Sequence, residues 1–69
     1  MSYKRRKVLG ALKAYGFFFA REGSKHTIYQ NEEGKSIPIG RHKEIDKETA
    51  QLIAKELDVP WNIFREKIL

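Results

Sequence analysis

The sequence predicts an α+β domain in which a three-stranded antiparallel sheet carries helices on one face, in the order α-β-β-β-α-α. Three observations lead there. Apolar residues recur at helical spacing towards both ends of the chain, at Val8, Ala11, Leu12 and Tyr15 and again at Ala50, Ile53, Ala54 and Leu57. Each set falls at i, i+3, i+4 and i+7, which gathers its side chains on one face of a helix. Between them lie three short segments suited to strands, parted by a turn over Glu22 to Lys25 and by Asn31-Glu32-Glu33-Gly34, the punctuation of hairpins. Finally, 69 residues without a repeat or low-complexity tract leave room for one domain, residues 1–69, and one small core.

Taken in order, the first helix is expected to be capped by Ser2 and ended by Gly16. Its opening turns hold Lys4, Arg5, Arg6 and Lys7, four cations at the end of a helix that favours anions. Such a cluster is either a contact for phosphate or a solvated chain start. Phe17 to Arg21 reads as the first strand, with Phe17 and Phe19 on one face and Phe18 and Ala20 on the other. His26 to Gln30 forms the second, with Ile28 as its apolar member. Lys35 to Ile39 forms the third, an edge strand because Pro38 cannot donate to a ladder. After Gly40-Arg41-His42-Lys43, Asp46 is placed to cap the second helix. Asp58-Val59-Pro60 breaks the chain before a last short helix whose Trp61, Phe64 and Ile68 read as core or as a lid on it.

Composition narrows the function classes. There is no cysteine, so neither a disulfide framework nor a thiolate metal site is available. The longest apolar run, Tyr15 to Ala20, is interrupted by Gly16 and far too short to span a bilayer, and the start of the chain lacks a secretory apolar stretch. The expected location is cytoplasmic. Net charge is +5, unevenly placed: residues 1–43 carry ten Lys and Arg against three Glu, a net +7, whereas residues 44–69 carry four against six. Such asymmetry is a footprint of polyanion binding, nucleic acid above all. A chain of this size buries only about 60% of its unfolded surface, so a partner would add to its stability.

The chemistry is expected at Gly23-Ser24-Lys25-His26-Thr27-Ile28-Tyr29. Glycine accepts positive φ and serine can bond to nearby backbone, so the chain reverses there and delivers His26 to the start of a strand. Histidine is the side chain whose ordinary pKa, about 6.5, lets it take and give a proton near neutral pH. A half-exposed structural histidine is the plainer reading of the same position. For His42, after the third strand, the expected role is a hydrogen bond to backbone, with general acid as the alternative.

The order of elements with this motif resembles the HicA toxins, small mRNA interferases of toxin–antitoxin pairs whose fold is similar to the double-stranded-RNA-binding domain. The resemblance runs through Lys13-Ala14-Tyr15-Gly16-Phe17, Arg21, Gly23-Ser24-x-His26, Ile28-Tyr29, Ile37-Pro38, Arg41-His42, Ile45, and a helix with Thr49, Ile53 and Leu57. Many members read Gly-Ser-His-His or Gly-Ser-His-x; here Lys25 fills the first histidine slot, so His26 alone can carry the catalytic role the resemblance implies. It implies metal-independent cleavage of mRNA with no cofactor, a histidine taking the proton of a ribose 2′-OH so that this oxygen attacks the adjacent phosphorus. Lys4, Arg5, Arg6, Lys7, Arg21, Ser24, Lys25 and Arg41 are then the candidates for holding phosphate. It also implies a HicB-like antitoxin that covers the histidine. The competing class is an RNA-binding module without catalysis, which would use the same basic residues; a third possibility is a protein whose basic face serves chiefly to dock an acidic partner.

Overall fold

A computed structural model covering Met1–Leu69 shows eight elements: β1 (Ser2–Lys4), α1 (Arg5–Ala14), β2 (Phe18–Glu22), β3 (His26–Gln30), β4 (Ser36–Gly40), β5 (Glu44–Asp46), α2 (Lys47–Glu56) and α3 (Trp61–Ile68). The expected α-β-β-β-α-α frame is present. β2, β3 and β4 form an antiparallel sheet in that order, so β4 with Pro38 is indeed an edge strand. No helix is long and apolar enough to cross a membrane.

The addition to the frame is a ribbon of β1 and β5, antiparallel, with Tyr3 opposite Ile45. It displaces one expectation: Ser2 lies in β1 and donates to the Glu44 carboxylate, so it does not cap α1. Lys4 occupies the N-cap position without a side-chain bond, and the chain enters α1 through Arg5 N–H bonded to the Lys43 carbonyl at 2.8 Å. Asp46 does cap α2, accepting from Thr49 N–H at 3.2 Å.

The helix ends show two solutions to one problem. At the end of α1, Gly16 takes φ +86°, and Gly16 and Phe17 donate to Lys13 and Leu12; this wraps the last carbonyls in a Schellman motif. At the end of α2 the same bonds run from Asp58 to Lys55 and from Val59 to Ala54, but the left-handed position is held by Asp58 at φ 60°.

One core serves every element except β2. Val8, Ala11 and Leu12 from α1, Ala50, Ile53 and Ala54 from α2, and Phe64 and Ile68 from α3 are buried against Tyr29, Ile37 and Ile39 of the sheet. Trp61 reaches Tyr3 edge-on at 5.8 Å, tying α3 to the ribbon. The second strand departs from expectation: Thr27 and Tyr29 face the core, while Ile28 is half-buried on the other side. Thr27 tolerates burial because its hydroxyl is bonded at both ends, to Arg5 and to Glu22.

β2 holds a bulge that the alternating pattern conceals. Phe19 opposes Tyr29 and Arg21 opposes Ile28, leaving Ala20 as an extra residue. Up to the bulge the expected faces hold. Phe17 is buried and Phe19 packs edge-on to Tyr29, although Phe19 remains 56% exposed at the rim. Past it the faces exchange, so Arg21 shares the open face with Ile28 and His26, while Glu22 pairs with Thr27 on the inner face.

Candidate active site

His26 is the first residue of β3, opposite Gly40 of β4. Its side chain is exposed and makes no hydrogen bond; its backbone is held firmly. The His26 carbonyl accepts from Gly23 N–H at 2.7 Å and from the Arg41 guanidinium at 3.2 Å. The turn needs glycine for closeness: a Cβ on Gly23 would stand 3.1 Å from the His26 carbonyl oxygen, and Gly23 has no positive φ. Closeness, and not the positive φ expected of it, is what makes Gly23 matter in this turn.

Arg41 organises this turn. Its guanidinium donates to the carbonyls of Gly23, Ser24 and His26, and pairs with Glu22 Oε1 from Nε at 3.0 Å and from Nη2 at 2.9 Å. Glu22 in turn accepts from Thr27 Oγ1 at 3.0 Å, and Thr27 accepts from Arg5 Nη2 at 2.9 Å. Arg5 also donates from Nε to the Gly40 carbonyl at 2.7 Å. A chain Arg41–Glu22–Thr27–Arg5 therefore closes over the residues on either side of His26. The bond from Arg41, then that from Thr27, hold the Glu22 carboxyl below the usual glutamate range.

Beside the turn is a cleft walled by Lys4, Arg5, Arg6, Arg41, Lys43 and Glu44, five cations and one carboxylate. Three members of the amino-terminal cluster thus meet in one place, together with Arg41. Lys7 does not join them; it donates to the Leu69 carbonyl, just past α3, at 2.6 Å. Arg21, Ser24 and Lys25 are exposed around the turn, outside the cleft. A second, smaller cleft adjoins the first across Glu44 and contains both His26 and His42. The His42 side chain makes no hydrogen bond to backbone, contrary to the role expected for it.

Glu22, Thr27 and Lys43 were not singled out by the sequence. The one usable signal was Glu22, the sole acidic residue among the first 31 and set against a basic turn.

Fold and site together define a small basic α+β domain that displays an open histidine, on a braced turn, at the edge of a cationic cleft. A family model described as the HicA toxin of bacterial toxin–antitoxin matches residues 5–59. The chain belongs to that family: it is a toxin of a toxin–antitoxin system, and an antitoxin is its partner. The match takes in every residue of the turn and its braces, and leaves β1 and α3 outside. No curated protein matches the chain.

Proposed function

We propose that this toxin is an endoribonuclease that cleaves mRNA, with His26 as general base. The observation that carries the reading is the contrast at one residue: the His26 backbone is pinned by Gly23 and Arg41 while its imidazole stands free in solvent. A base needs that combination, a side chain able to reach substrate on a support that does not drift. The neutral ring takes the 2′-OH proton; the oxygen attacks phosphorus, giving a 2′,3′-cyclic phosphate and a free 5′-OH. This chemistry runs through imidazole and calls for no metal.

Lys4, Arg6 and Lys43 supply positive charge for the flanking phosphates, with Arg21, Ser24 and Lys25 at the rim of the turn. Lys7 does not join them, because its ammonium is turned to Leu69 after α3. Arg41 lines the cleft but spends Nε, Nη1 and Nη2 on Glu22 and the carbonyls of the turn, so its role is to position. Arg5 gives Nε to the Gly40 carbonyl and Nη2 to Thr27 and keeps Nη1 without a protein partner, so it both braces the site and offers a donor to phosphate. The antitoxin would be a HicB-like protein with an acidic face over His26 and the cationic cleft, since such a face relieves the repulsion among the cleft's cations and speeds encounter. Action on mRNA places the protein in the cytoplasm.

His26→Ala tests the assignment. The variant is expected to fold, to bind RNA, and to lose cleavage by about 10²–10⁴-fold together with growth arrest on expression. Undiminished cleavage by the variant would end the reading; RNA retained on the wild-type protein without any cleavage would establish the binding module instead.

A further inference from the structure

We propose that His42 is the general acid of this active site, protonating the departing 5′-oxygen while His26 removes the proton from the 2′-oxygen. The proposal rests on the nuclease reading above and extends it. In-line displacement puts the attacking and leaving oxygens on opposite sides of phosphorus, so one base cannot serve both. A second group must stand across the phosphate within hydrogen-bond reach, roughly 3 Å.

The topology supplies such a pair. His26 is paired directly with Gly40 across β3 and β4, and His42 follows Gly40 by two residues. Directly paired residues lie about 5 Å apart and two further residues of chain reach at most roughly 7 Å, so the two Cα atoms are within about 12 Å. Both residues line the same cleft, His26 from the start of β3 and His42 from the segment that follows β4. Two imidazoles reaching inward across that span can bracket a phosphoryl group.

The other protic groups of the cleft are accounted for. Glu44 accepts from Ser2. Asp46 is held as the α2 cap, with its carboxyl drawn below the usual aspartate range by the Thr49 bond, so it is ionised near neutrality. Thr49 gives its N–H to that cap, and a threonine hydroxyl is too weak an acid to serve. No lysine or arginine lines this cleft. His42 is the remaining donor, and its side chain has no protein partner to occupy it.

The step balances as follows. The 2′-O–H proton passes to His26, the 2′-O–P bond forms, the P–O5′ bond breaks, and the proton on His42 passes to O5′. The products are the cyclic phosphate and the 5′-alcohol, with His26 protonated and His42 neutral; proton exchange with water resets both.

The test compares two oligoribonucleotides that span a cleavage site mapped on a reporter mRNA. One has the natural oxygen at the scissile 5′ position and the other a bridging sulfur, whose thiolate departs without needing a proton. His42→Ala is expected to lose about 10²–10³-fold on the oxygen substrate and less than tenfold on the sulfur substrate. His26→Ala is expected to fail on both, because loss of the base is not relieved by a better leaving group. Equal losses by His42→Ala on the two substrates would make His42 a binding or positioning residue and overturn the proposal, as would full activity on the oxygen substrate. If wild-type protein cleaves and His26→Ala does not, the nuclease reading survives whichever way His42 falls.

Discussion

Replacing Arg41 by alanine removes three donations to the turn that carries His26, those to the carbonyls of Gly23, Ser24 and His26, together with the pairing to Glu22. The Arg41 side chain is 42% exposed, so the carbonyl contacts are worth less than buried ones. At roughly half a kcal/mol each they amount to about 1–2 kcal/mol, which lowers Tm by roughly 4–16 °C in a domain of this size. Total stability at this length is about 3–10 kcal/mol, so the variant remains mostly folded. Cleavage should nevertheless fall by about 10–100-fold, because a displacement of about 1 Å at the base suffices for that. Arg41→Lys separates the two uses of a cation. Lysine keeps the charge but lacks the planar fork that spans several carbonyls, so it should behave like alanine in both the melting and the cleavage assay. Restored cleavage in Arg41→Lys, or an unchanged Tm in Arg41→Ala, would show that the residue acts on phosphate and that the clamp is incidental.

The remaining predictions concern charge and backbone. Glu22 and Asp46 both have lowered carboxyl pKa values. Their contribution to stability is therefore complete above the ordinary carboxylate range and is lost as pH falls through their folded values; Glu22→Gln should melt below wild type at pH 7 and converge with it only as pH falls beneath the ordinary glutamate range. Lys4 and Arg6 wall the cationic cleft and have no side-chain hydrogen-bond partner. Removing both should weaken RNA binding and reduce the slope of log affinity against log salt by about 0.7–1 for each, with an unchanged slope returning them to solvent. Asp58 holds a left-handed conformation that glycine adopts freely. Asp58→Gly should raise stability by about 0.5–1 kcal/mol, read as a higher Tm with cleavage unaltered; a lower Tm would mean that the aspartate side chain offsets its own strain.

The two long helices and the hairpin order were legible because their signals are local and periodic. α1 announces itself by four apolar residues on one face and by Gly16, α2 by its own stripe and Asp46. The β1–β5 ribbon was not legible, since three residues with one apolar member, Tyr3 or Ile45, carry no period to detect. The face of β3 was misread for a different reason. Ile28 is the more apolar residue, but Thr27 is buried with its hydroxyl satisfied by Glu22, across the turn in β2, and by Arg5, 22 residues away in α1. His26 was legible from its turn. The clamp was not: Arg41 stands 15 to 19 residues from the groups it holds, and only the closed sheet brings them together.

The bulge at Ala20 bears on how this chain behaves in crowded solution. β2 is an edge strand with all five residues exposed, among them Phe18 and Phe19 at 57% and 56%. A straight strand of that composition offers a row of free N–H and C=O groups to any neighbour and invites strand-to-strand aggregation. The extra residue interrupts that row and twists the edge away from a flat template. Because the partners on either side, Phe19 with Tyr29 and Arg21 with Ile28, would keep their register if Ala20 were deleted, the shorter chain would fold with a more regular ladder. It would also be the stickier molecule, since a single alanine that adds nothing to the core blunts this edge as a template for a neighbour's strand.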